Sequence, residues 1–93
     1  MILQGGWDGT GAFLTPTLFG IEDVTSSLVQ EELFGPIVSL ETFEDEAEAI
    51  HKANATPYGL AASVFTQDGA RALRISRAMR SGTVWVNSHL RLF

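Results

Sequence analysis

The chain has 93 residues, 45% of them hydrophobic, no cysteine and a formal net charge of −5. That length suits one domain and not two, the apolar share is that of a folding sequence, and the acidic balance argues against a nucleic-acid surface. Without cysteine there is no disulfide frame and no thiolate, which fits a reducing compartment such as the cytoplasm.

Taken in order, Met1 to Gln4 is a short apolar run stopped by Gly5-Gly6, a turn signal. Residues 12 to 19 are β-branched and aromatic enough for a strand, with Pro16 suggesting an edge position or a missing ladder donor. Ser26 or Ser27 is placed to cap a short helix ending near Glu32, and residues 37 to 43 read as a strand. Asp45 followed by Glu48 fits a reciprocal capping pattern, opening a helix with Ala47, Ile50 and Ala53 or Asn54 on its inner face. Pro57 and Gly59 end it, and Tyr58 between them is expected to hydrogen-bond within the turn.

Leu60 to Phe65 is a nearly continuous apolar run, the pattern of a strand covered on both faces. Asp68 caps the next helix, with Ala72, Ile75, Ser76 and Met79 inward, Arg71, Arg74 and Arg77 toward water, and Gly82 as its C-terminal stop. Thr83 to Val86 is a last buried strand, with Trp85 as core. The alternation predicts an α/β layer of four or five mostly parallel strands with flanking helices, in strand–helix–strand units over 37–65 and 60–86. No run approaches the roughly 20 apolar residues that span a bilayer, and no secretory leader is visible, so no membrane partner is expected. His51 and His89 lack metal-ligand spacing, and no metal site is expected.

The most informative stretch runs from Gln30 to Val38. In an extended chain residues i and i+2 point the same way, so Glu32 and Phe34 can face one ligand. A carboxylate accepts two hydroxyl hydrogen bonds and a ring offers a flat apolar surface, a pairing suited to a sugar joined to a planar base. The alternative is a surface acid beside a core phenylalanine. Asn87 follows a strand and opens the exit loop; an amide that both donates and accepts there reads as a pin shaping that loop.

Glu31-Glu32-Leu33-Phe34-Gly35-Pro36 resembles the E-E-[IL]-F-G-P signature of the NAD(P)-dependent aldehyde dehydrogenase superfamily. Three further blocks match in order: Gly11 to Phe19, Asn54 to Thr66, and Gly82 to Asn87. The resemblance implies part of that family's catalytic domain, oxidising an aldehyde to a carboxylic acid with NAD or NADP. It implies that Glu32 accepts hydrogen bonds from the nicotinamide ribose, that Phe34 packs beside the nicotinamide, and that Leu90 and Leu92 lie in the region lining the aldehyde channel. Ser88-His89-Leu90 is most similar to members acting on amino- or betaine-type aldehydes.

The same resemblance implies that the nucleophilic cysteine, the general-base glutamate and the oxyanion asparagine all lie N-terminal to this region. None of these catalytic groups is expected within the chain, nor is the glycine-rich turn that meets a dinucleotide pyrophosphate. Residues 1–93 therefore read as a single partial domain, truncated at both ends and inactive alone. Its partners would be the remainder of the parent enzyme, a homodimer or homotetramer, and a small aldehyde. The competing reading is a non-catalytic remnant or interaction module built on the same fold.

Overall fold

The computed structural model describes residues 15–91, which divide into two compact units meeting in sequence between Thr42 and Phe43. The reading of Met1 to Gln4 as an apolar run, and the position of Leu92, lie outside the described residues.

The first unit holds β1 (Thr17–Gly20), a single-turn helix α1 (Ser27–Gln30) and β2 (Ile37–Leu40). The strands pair in parallel, from Thr17 opposite Ile37 to Gly20 opposite Leu40. The ladder continues at both ends, where Thr17 N–H donates to the Pro36 carbonyl and Ile21 N–H to that of Leu40, both at 2.8 Å. Pro16 thus stands just before the first residue that must donate, so the ladder loses nothing to it. The Ser26 hydroxyl caps α1 by accepting from Leu28 N–H at 3.3 Å. Before it, Asp23 accepts from both the hydroxyl and the N–H of Thr25, and the hydroxyl bond chiefly holds its carboxyl below the usual range.

The second unit runs α2 (Glu46–Asn54), β3 (Ala61–Val64), α3 (Gly69–Ala78) and β4 (Thr83–Val86), with β3 and β4 parallel. Both helices start where the sequence places their caps. Asp45 accepts from Glu48 N–H at 2.8 Å, and Asp68 from Arg71 N–H at 3.1 Å. The Glu48 carboxylate returns the bond one residue early, to Glu44 N–H at 3.0 Å. Asn54 stitches the helix ends together, donating to the Ala78 carbonyl and accepting from Arg80 N–H, both at 2.9 Å. These bonds satisfy one of the carbonyls that a helix C-terminus leaves orphaned.

Several expectations need correcting. The four described strands form two separate parallel pairs and not one sheet of four or five. β2 stops at Leu40, three residues short of the strand expected over 37 to 43. Leu60 to Phe65 is not covered on both faces: Leu60 is 89% exposed and Phe65 69%, with two short helices as the cover among the described residues of this unit. Ala47 faces solvent, and the inner face of α2 is Ala49 and Ile50. On α3 the predicted stripe stands, with Ala72 buried and Ile75, Ser76 and Met79 half-buried.

Gly82 is not the helix stop. The α3 cap is Met79, in extended backbone, and Gly82 comes three residues later as the start of the β3–β4 ladder. Its N–H donates to the Gly59 carbonyl at 2.9 Å, and Thr83 N–H to that of Leu60 at 3.3 Å. The core is small. Val64 and Ala72 are its buried apolar residues, and a cleft of about 300 Å³ lined by Phe43, Ala49, Val64 and Ile75 lies beside them.

Candidate functional site

Glu32 and Phe34 lie between α1 and β2 on a segment fixed at both ends. Glu31, extended at φ −113°, closes α1 by donating its N–H to the Ser27 carbonyl at 3.0 Å. On the far side Gly35 N–H donates to the Leu33 carbonyl at 3.1 Å, and Ile37 N–H to that of Gly35 at 2.8 Å. The intervening side chains are presented outward. Glu32 is exposed, and Phe34 is 92% exposed, so the reading of Phe34 as plain core does not hold within this chain. Burying such a ring is worth roughly 1.5–3 kcal/mol. A backbone held at both ends therefore displays an exposed ring two residues from an exposed carboxylate.

Gly35 adds to this. A Cβ built there would meet nothing within 4 Å among the described residues, and its φ lies outside the left-handed region, so the space beside it is open.

Asn87 is the pin the sequence suggests. Its N–H donates to the Val64 carbonyl at 2.7 Å, and its side-chain oxygen accepts from Thr66 N–H at 2.9 Å, tying the end of β4 to the end of β3. It adopts φ 52°, a left-handed conformation asparagine tolerates better than most residues. Beyond it the loop carries His89, which hydrogen-bonds Ser63 and meets Trp85 edge-on at 5.5 Å between ring centroids. Trp85 is half-buried, and its indole N–H donates to the Arg91 carbonyl at 3.0 Å. It is thus a loop anchor as much as core. Leu90 is 66% exposed with φ 55°. Tyr58 bonds within its turn through the backbone, its N–H reaching the Thr56 hydroxyl at 3.4 Å.

Two residues that do structural work here have weak sequence signals. Glu46 receives Arg71 at 3.2 Å and Arg74 at 2.9 Å, so those arginines are exposed but not solely solvated. The hydrogen bond from Arg74 chiefly holds the Glu46 carboxyl below its ordinary value, and Arg74 is raised by the same contact. Arginines three apart on one helix face signal a shared acid, but not which one. Ser63 is the lone hydroxyl in an apolar run, and nothing in the sequence singles out its partner, 26 positions away.

The aldehyde dehydrogenase family model matches residues 1–92. The chain is 52% identical to a (Z)-2-((N-methylformamido)methylene)-5-hydroxybutyrolactone dehydrogenase of Acinetobacter baylyi, over 95% of this chain and 19% of that protein. It is 46% identical to the cytosolic 1 aldehyde dehydrogenase of Rattus norvegicus, over 95% of this chain and 18% of that one. Among solved structures it is similar to betaine aldehyde dehydrogenase of Staphylococcus aureus, with a TM-score of 0.81 and 44% identity over 87% of this chain and 16% of that one. An indole-3-acetaldehyde dehydrogenase in complex with NAD+ gives 0.82 and 44% over 88% of this chain and 17% of the other. The chain thus spans less than a fifth of the length of these relatives.

Proposed function

Since the chain belongs to the aldehyde dehydrogenase family, we propose that it is a section of the catalytic domain of an enzyme oxidising an aldehyde to a carboxylic acid with NAD or NADP. Within that enzyme it positions the nicotinamide ribose and lines part of the aldehyde's approach. The observation that carries this reading is the exposed Glu32 carboxylate two residues from the 92% exposed Phe34 ring, on a backbone fixed at both ends. That pairing suits a ribose joined to a planar base: a carboxylate accepts from hydroxyl groups, and the ring offers a flat apolar wall.

The dinucleotide, when bound, supplies the hydride acceptor. Glu32 accepts the ribose hydroxyls and restrains the sugar, while Phe34 limits sideways motion of the attached ring. Gly35 leaves space for the approach. Leu90 and Leu92 line the route of the aldehyde. With no cysteine in the chain, the thiolate that attacks the aldehyde comes from outside these residues, and the chain alone is inactive. The similarity to a cytosolic relative supports a cytoplasmic enzyme, and the parent is read as a homodimer or homotetramer. No helix among the described residues is long and apolar enough to cross a membrane.

The absent cysteine also supports a second reading, a remnant or interaction module without chemistry of its own. Flanking coding sequence separates the two: a cysteine-bearing strand upstream identifies an enzyme, and its lack identifies a remnant. Glu32→Ala in the intact parent tests the site. A misplacement near an ångström costs on the order of a hundredfold in rate, so kcat should fall by that order with little change in aldehyde KM. Unchanged kcat and unchanged dinucleotide KM would remove Glu32 from the site.

A further inference from the structure

The exit loop after β4 is held by contacts that cofactor positioning does not use. Ser63 and Trp85 are register partners on β3 and β4, so their side chains share one face of the pair. Val64 and Val84 alternate to the other face, and Val64 lines the cleft beside α2 and α3. Residues 87–91 return toward the Ser63–Trp85 face and attach at three points. Asn87 is tied to Val64 and Thr66, His89 to Ser63 and the Trp85 edge, and the Arg91 carbonyl to the Trp85 indole.

Leu90 sits between the second and third of these at φ 55°. A β-carbon in left-handed backbone is strained and persists only where its surroundings hold it. Its two chain neighbours supply that hold. Resting on the reading of Leu90 as a channel residue, we infer that Ser63 and His89 form a latch that fixes the conformation of Leu90, and so sets which aldehydes the channel admits. Ser63 and His89 are positioning residues, acting on the substrate through the backbone of the loop.

Asparagine can place an amide where the imidazole has Nδ1, keeping the bond to Ser63 while losing the ring contact. His89→Asn therefore separates the bond from the ring. The experiment compares Ser63→Ala, His89→Ala, the double variant, His89→Asn and Leu90→Ala in the intact parent enzyme. It reads KM and kcat for acetaldehyde and hexanal, together with amide exchange over residues 87–91. Losing one hydrogen bond predicts a rise of about two- to tenfold in the hexanal-to-acetaldehyde KM ratio for each alanine variant. The double variant should be no worse than the poorer single one, His89→Asn should recover most of the ratio, kcat should be largely kept, and exchange over 87–91 should quicken.

Additive losses, unchanged exchange, or a uniform fall in kcat for both aldehydes overturns the latch. An unchanged ratio in Leu90→Ala alongside quickened exchange in the latch variants overturns instead the channel reading, and with it the claim on selectivity.

Discussion

Gly59→Ala is a sharp test of how the second unit is built. A Cβ at Gly59 would lie 2.5 Å from the Arg80 carbonyl oxygen, with Arg80 C at 3.6 Å and Ser81 Cα at 3.9 Å. All three are backbone atoms, and no flexible side-chain end can swing away. Real Cβ contacts essentially never fall under 3.0 Å, so the Arg80–Ser81 backbone must retreat by about 0.5 Å. That backbone is held by Arg80 N–H on Asn54, and it leads directly into Gly82 N–H on Gly59 and Thr83 N–H on Leu60. Retreat therefore opens the start of the β3–β4 ladder.

Overpacking of this kind costs about 1–3 kcal/mol, and an opening made easier by that amount speeds amide exchange about 5- to 150-fold. Exchange mass spectrometry on the intact parent should show this at Gly82 and Thr83 and leave the first unit unchanged. Gly69→Ala is the control: a Cβ there meets nothing within 4 Å, and the site opens a helix, so protection should hold or rise. Wild-type protection in Gly59→Ala would refute the close approach.

Further outcomes follow from the same geometry. Gly35→Ala should leave thermal stability unchanged, because a Cβ meets nothing among the described residues, yet raise the dinucleotide KM if a ligand is what approaches; a KM equal to wild type removes that role. The 93-residue chain on its own should bind NAD barely or not at all, since one ribose contact does not replace a pyrophosphate site, and micromolar affinity by isothermal titration would contradict this. It should also associate in solution, because Leu60, Phe65, Val38 and Phe43 are exposed; a monodisperse monomer at high concentration in sedimentation counts against it. Glu46 and Asp68 have folded pKa values below their ordinary 4.5 and 3.8, so their contribution to stability is present above those values and lost as pH falls through the depressed ones. Glu46→Gln should therefore melt below wild type at pH 7, and the gap should close on acidification; a gap independent of pH would exclude the clamp by Arg71 and Arg74.

Local chemistry was legible from the residues themselves. Asp45, Asp68 and Ser26 cap helices because a short acceptor followed by an apolar period has few other uses, and the caps fall where that pattern puts them. Asn87 could be read as a pin because an amide that both donates and accepts at the end of a strand has backbone partners within reach, although β4 is only half-buried. Four motif blocks in order were enough to identify the family.

The parallel β3–β4 pair of the 60–86 unit was legible, but the pairing of β1 with β2 was not. Apolar runs report burial without naming the neighbour that supplies it, so Leu60 to Phe65 reads alike whether its cover is in this chain or beyond it. Gly82 looked like a helix stop because glycine serves there often, whereas its place is set by the close passage of Gly59 and Leu60, 22 or more positions earlier. The contacts of Ser63 with His89, and of Glu46 with Arg71 and Arg74, likewise join residues about 25 apart in sequence. Side-chain chemistry and short-range periodicity are written in the order of residues. Long-range partners arise only when the chain closes its loops, and that closure is the work of tertiary structure.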